Sequence, residues 1–345
     1  MHISEGILTG PSMAATLALG AVAVAWGVHA TNKFVAAKPA RKPLLAMAGA
    51  FVFLVSLVPL PSYAGTCSHP CGTPLAAILL GPGVTVLLSC LALALQAAFF
   101  AHGGFSSLGA NTLTLGLVGG ASGWATYHVA RKAGLSRLWA GALAGLVGDV
   151  LTYVAAGFTL AAHLAWVVPQ PKMDLIGYLK VIYAGYLPVQ TPLSIGEAFF
   201  TGWALYSIGR QRPEVLEDLG VESKAKPAAK SKGAARAAAL LLCLLLPLAA
   251  RAADTKPTPA PAPVETPAPG AYTGMDEKVN EAMAASGGAP ARAPYLDTEK
   301  MGDLWNLILL MGGAIAGFIL GRNWGQLFGA AKAVPAGRAK PKKRG

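Results

Sequence analysis

The chain has 345 residues, 54% hydrophobic and only 13% charged, with a formal net charge of +12. Soluble domains carry about 25% charged residues, so this composition points to a polytopic membrane protein. Its Lys and Arg gather in short clusters beside apolar runs, as in cytoplasmic loops, and no nucleic-acid-binding module appears; RNA and DNA are therefore excluded as partners.

Apolar stretches close to the ~20 residues that cross a bilayer fall at 11–30, 43–61, 74–101, 106–129, 138–164, 175–190 and 192–209. They predict an all-α bundle of seven spans over residues 1–210. The third stretch is long and interrupted by Gly81, Pro82 and Gly83, which predicts a kink or a re-entrant segment. Lys33, Lys38, Arg41 and Lys42 lie between spans one and two, so that loop is expected in the cytoplasm and the amino terminus outside. Seven crossings bring the chain back to the cytoplasm at Arg210 and Arg212. One segment disagrees: Arg131, Lys132 and Arg137 fall outside in this count.

Residues 211–236 read as a basic Ala/Lys linker. A short apolar core follows, ending in "ARAA", with the parts of a signal peptide or signal anchor. A Pro-rich stretch then opens an expected extracytoplasmic loop over about 254–300. A last apolar stretch at 303–321 leads to a basic tail, 323–345. Residues 237–322 thus read as a separate two-span unit.

The opening "MHISEG" carries the first candidate chemistry. A free terminal amine, the next amide nitrogen and the His2 imidazole can chelate one ion in adjoining rings. One more imidazole would complete four nitrogens in a plane, an arrangement that suits Ni(II) or Cu(II), with Co(II) close in the affinity series. A bulky residue at position two hinders removal of Met1, which keeps that amine in place. The bland alternative is a polar residue at a frayed terminus. His69 lies in the outward loop between spans two and three, on the same membrane side as His2, and Gly65, Pro70 and Gly72 give that loop its turns. Cys67 and Cys71 flank His69. They read as soft ligands, as a local disulfide on the oxidising face, or as two bystander thiols.

Several fragments, taken in order through residues 1–210, carry a family resemblance: "MHISEG", "SHPCGT", "LQAAFFAHGGFSSLGAN", "GDVLTYV" and "PVQTPLSIGEAFFTG". Together they closely resemble the substrate-binding subunit of energy-coupling-factor cobalt/nickel transporters, the CbiM/NikM family. The resemblance implies a seven-helix S-component bundle in the cytoplasmic (inner) membrane with its amino terminus outside. It implies Ni(II) or Co(II) as transported substrate, with no bound organic cofactor. It assigns the amine of Met1, the amide and imidazole of His2 and the imidazole of His69 as ligands. It also implies a transmembrane coupling (T) subunit and two ATP-binding subunits as partners. The two-span unit resembles, in architecture, the small accessory membrane subunit of such systems.

Glu5, Ser68, His102, Ser106, Ser107 and Asn111 are expected to line the pocket or to orient its ligands, because polar groups at membrane depth are costly and metal-bound imidazoles need partners for their second nitrogen. Asp149 and Glu197 read as buried carboxylates in helix packing. The chain holds no G-x-x-x-x-G-K-[ST] loop, so ATP hydrolysis is expected on partner chains. Two other classes compete: a membrane metalloenzyme, which needs an open metal position and a general base, and an ion-driven carrier without an ATPase.

Overall fold

A computed structural model describes residues 2–57, 60–61, 67–100, 102–167 and 174–222. Met1, most of the expected linker, the two-span unit and the basic tail lie outside the described residues.

The expected all-α membrane architecture is observed. Its elements are α1 (Gly10–Ala37), a 3-10 turn (Pro39–Arg41), α2 (Lys42–Leu57), α3 (Thr73–Leu80), α4 (Pro82–Phe99), α5 (Leu108–Asn111), a π-helical stretch (Thr112–Gly119), α6 (Gly120–Lys132), α7 (Arg137–Trp166), α8 (Leu175–Gln211) and α9 (Pro213–Asp218). A two-residue antiparallel pair, β1 (Leu60–Pro61) with β2 (Cys67–Ser68), precedes α3. Among the described residues, four segments are long and apolar enough to cross a bilayer: Gly10–Ala37, Pro39–Leu57, Pro82–Phe99 and Arg137–Trp166. On α1 and α2, Leu19, Val22 and Leu54 are exposed, which is the face a lipid environment requires.

Two elements depart from the expected spans. The stretch 74–101 is two helices, because Gly81 at φ 91° breaks the chain between α3 and α4. These helices run in opposite directions. Leu80 and Val84, at the junction, pack with Phe34 and Leu44 near the first basic loop, whereas Cys71 before α3 and Leu93 on α4 pack with Ile3 and Leu8 at the other end. Conversely, 175–190 and 192–209 form the single 37-residue α8, with Pro188 and Pro192 inside it. At 1.5 Å per residue it is about 55 Å long. Its start is capped by Asp174, whose carboxylate accepts from the Gly177 N–H at 2.8 Å.

The split adds a leg and the fusion removes one, and this resolves the discordant basic loop. Arg131 and Arg137 both pair with Glu222, and Lys38 and Arg41 both pair with Asp218. The loops at 38–42, 133–136 and 212–222 therefore share one end of the bundle. Residues 213–218, expected in a linker, form α9, and Leu216 is buried against Tyr127 and Leu135 there. The opposite end holds residues 2–9 and the loop after α4.

Candidate metal centre

The amino-terminal segment folds back into the bundle because the loop 102–111 binds its backbone atom by atom. The Asn111 side chain accepts from Ile3 N at 2.8 Å and donates to Ile3 O at 3.0 Å. Ser107 Oγ also donates to Ile3 O. Glu5 N donates to Gly103 O at 3.1 Å. The Glu5 carboxylate accepts from Ser106 N at 3.1 Å, and Ser106 Oγ accepts from Gly6 N at 3.0 Å. The approach is so close that a Cβ on Gly104 would stand 2.4 Å from Glu5 Oε2 and 2.5 Å from Glu5 Cα. Only glycine fits. His2 is consequently 4% exposed, and Ile3 and Leu8 are wholly buried.

A second set of groups holds the His69 loop. Tyr153 on α7 spans the His69 backbone: its hydroxyl accepts from His69 N and donates to His69 O, each at 2.9 Å. Glu197 on α8 accepts from Cys71 N at 3.2 Å and Gly72 N at 3.0 Å. Asp149 on α7 accepts from Cys71 Sγ at 3.1 Å and from Gln190 Nε2 and Ser194 Oγ, each at 2.5 Å. These contacts satisfy two carboxylates that burial would otherwise penalise heavily.

The two sets meet at three imidazoles. Ring centroids lie 4.4 Å apart for His2 and His69, 4.6 Å for His2 and His102, and 5.8 Å for His69 and His102. One ring nitrogen from each falls within 4.8 Å of the others. Both ring nitrogens of His2, Nε2 of His69 and Nε2 of His102 are buried with no hydrogen-bond partner among the described residues. Nδ1 of His69 lies 3.0 Å from Pro70 O. Burial, then the neighbouring His69 and His102, hold His2 well below the ordinary imidazole pKa of 6.5. Burial likewise lowers His69, and it brings His102 to about 4. All three are therefore neutral donors near neutrality, the state that binds a metal ion.

The sequence-predicted residues assemble unevenly. His2, His69 and His102 converge, and Glu5, Ser106, Ser107 and Asn111 form the clamp on the terminal segment. Ser68 is wholly buried within β2. Met1 lies outside the described residues. Cys71 is a buried free thiol that donates to Asp149; the side chain of Cys67 lies outside the described residues, and among those described the metal-holding cluster is His2, His69 and His102. Tyr153 was not singled out by the sequence. Its spacing of four from Asp149 places both on one face of α7. Gln190, Ser194 and Glu197 make the matching polar stripe on α8, and that pairing was the available signal.

The chain is similar to known metal-transport proteins. The family described as "Cobalt uptake substrate-specific transmembrane region" matches residues 2–215. A cobalt transport protein of Geobacter sulfurreducens is 35% identical over 328 residues, covering 95% of this chain and 90% of that protein. A putative cobalt transport protein of Methanocaldococcus jannaschii is 39% identical over 229 residues, 66% of this chain and 96% of its own length. A crystal structure of a truncated transition metal transporter is 27% identical with a TM-score of 0.53, covering 61% of this chain and 99% of that one.

Proposed function

The chain belongs to the CbiM family of cobalt-uptake transmembrane proteins, and on that premise we propose that it is the metal-capturing membrane subunit of an ATP-driven importer of the energy-coupling-factor type. Its substrate is Co(II), with Ni(II) as the chemically adjacent alternative. The observation that carries this reading is the set of three buried imidazoles whose inward nitrogens have no protein partner. A buried polar atom without a partner is costly, and a divalent ion would supply the missing contact.

The four-nitrogen set is the amine of Met1, the amide and imidazole of His2, and the imidazole of His69. The loop 102–111 holds the residues that follow His2 by the backbone of Ile3, Glu5 and Gly6. Tyr153 and Glu197 hold the His69 loop. The basic loops mark the cytoplasmic end, so the site faces the outer side of the inner membrane and the ion enters from there. Energy comes from two ATP-binding subunits acting through a transmembrane coupling subunit, since this chain has no phosphate loop. The Methanocaldococcus relative is matched almost end to end by 66% of this chain, whereas the Geobacter relative is matched over 95%. This supports reading 237–322 as an attached accessory unit rather than part of the metal site.

Equilibrium binding of Co(II) to purified protein with its native amino terminus tests the reading. His2→Ala and His69→Ala are each expected to abolish binding, and so is an amino-terminal extension that blocks the Met1 amine. Undiminished binding by the extended chain would sink the four-nitrogen assignment.

A further inference from the structure

The four-nitrogen scheme leaves His102 without a task. Yet its ring shares one condition with that of His69: Nε2 is buried without a partner among the described residues. The nearby Ser56 backbone favours a proton on the His102 ring. In His69, Nδ1 meets Pro70 O and Nε2 is likewise free. A ring nitrogen fixed by a backbone carbonyl, with the other left bare, is how proteins prepare an imidazole to ligate, because the carbonyl sets the tautomer and raises the basicity of the free nitrogen.

The distances suit such a role. Metal–imidazole bonds of about 2.0–2.1 Å place nitrogens about 2.9 Å apart when adjacent and about 4.1 Å apart when opposite. The three donor atoms already lie within 4.8 Å of one another, so a contraction of roughly an ångström closes them on one ion. The His102 ring stands 68° from that of His2 and 70° from that of His69, whereas those two differ by 44°. His102 therefore approaches across the other pair rather than alongside it.

We propose that His102 is a fifth nitrogen ligand of the transported ion, binding through Nε2, and that it biases the site towards Co(II) over Ni(II). The inference rests on the capture function proposed above. A planar set of four nitrogens suits Ni(II), which also stands above Co(II) in intrinsic affinity. A site that takes cobalt must therefore select by ligand number and geometry. A fifth nitrogen removes the planar four-coordinate option that favours nickel and gives Co(II) a higher coordination number.

The test uses full-length protein with its native amino terminus, loaded with Co(II) alone or Ni(II) alone. X-ray absorption of the cobalt-loaded protein is expected to count three imidazoles, and two in His102→Ala. The variant is expected to lose at least about tenfold in Co(II) affinity, the lower bound seen even for outer-sphere partners of a metal. Its loss of Ni(II) affinity should be several-fold smaller. His102→Gln should behave like His102→Ala. Two imidazoles around cobalt in the unmodified protein overturn the proposal whatever the variants do, and so does an unchanged cobalt-to-nickel ratio in both variants. Unmodified protein that binds no cobalt refutes the capture function itself, a distinguishable failure.

Discussion

Asn111→Leu separates the clamp on the amino terminus from the bundle that carries it. The substitution keeps the branched heavy-atom skeleton but removes the acceptor for Ile3 N and one of two donors to Ile3 O, in a position 1% exposed. Ile3 O keeps Ser107. Ile3 N has no second partner and is left buried and unsatisfied. Its desolvation costs about 1–3 kcal/mol, and the second lost bond about 0.5–1.5 kcal/mol. The sum, about 1.5–4.5 kcal/mol, falls on one equilibrium, the docking of residues 2–6 onto the loop 102–111. At 1.4 kcal/mol per tenfold this lowers the docked population by ~10- to 1,600-fold. Apparent affinity falls in proportion to the competent fraction, so competition titration with a chelator is expected to show Co(II) binding weakened by at least tenfold. Within the bundle the loss is the Asn111 Nδ2 bond to Ser107 Oγ at 3.1 Å, so the melting temperature of the metal-free protein in detergent should move by only a few degrees. Cobalt affinity within threefold of the unmodified protein would refute the claim that this amide docks the terminal segment.

Gly104→Ala drives a Cβ into Glu5, whose backbone cannot yield without dragging His2; overpacking of about 1–3 kcal/mol predicts roughly 5- to 150-fold weaker metal binding. Gly196→Ala is the matched control on α8, since its Cβ meets nothing within 4 Å, and binding by it should be unchanged. Tyr153→Phe removes both hydroxyl bonds to the His69 backbone and should weaken Co(II) binding at least tenfold, with imidazole counts by X-ray absorption reporting whether His69 is the ligand lost. The three imidazoles should contribute a pH dependence of one sign to metal-free stability. Burial keeps them neutral below the ordinary pKa of 6.5, His102 down to about 4, while the unfolded chain takes up protons as pH passes 6.5. Their contribution is therefore fully present above that value and declines below it, by up to about 4 kcal/mol per pH unit for three groups; a variant with all three changed to Gln whose melting temperature follows pH from 7.5 to 5 just as the unmodified protein's does would contradict this.

The amphipathic and charge signals in the sequence identify a helical membrane bundle, and they mislead where local chemistry and tertiary context part company. The break expected between 190 and 192 lies beside Pro188 and Pro192, and proline removes a backbone donor. In a bundle neighbouring groups compensate, and α8 continues to Gln211. Gly81 reads as a kink or a re-entrant break and is a reversal, which the packing of Leu80 and Val84 against Phe34 and Leu44 reveals. The two departures cancel in the number of legs. They do not cancel in position, which is why Arg131 and Arg137 seemed misplaced. For the site, His2 was legible because chelation by a terminal dipeptide is local chemistry. His102 was legible only as a polar residue in a turn, because its ring meets that of His2 across 100 positions of chain. The polar faces of α7 and α8 were visible as spacing, but nothing in either helix names the loop they grip.

The two halves of the candidate site are built on different supports, and this bears on how a tightly held ion is let go. His2 depends on residues 103–111, at the junction of α4 with the following helix. His69 depends on Tyr153 of α7 and, through Cys71 and Gly72, on Glu197 of α8. Among the described residues, what the rings of His2 and His69 share is a contact 4.4 Å wide between centroids. The packing of the two halves is not separate: Ile3 and Leu8 lie in one core with Tyr153 of α7 and Tyr186 of α8. Metal–nitrogen bonds of about 2 Å tolerate little displacement. In the proposed importer, a shift of α8 would act on the His69 loop through the Glu197 hydrogen bonds and on Ile3 through packing alone. Helix α8 runs unbroken from the site to the basic end, where Asp218 and Glu222 pair with Lys38, Arg41, Arg131 and Arg137.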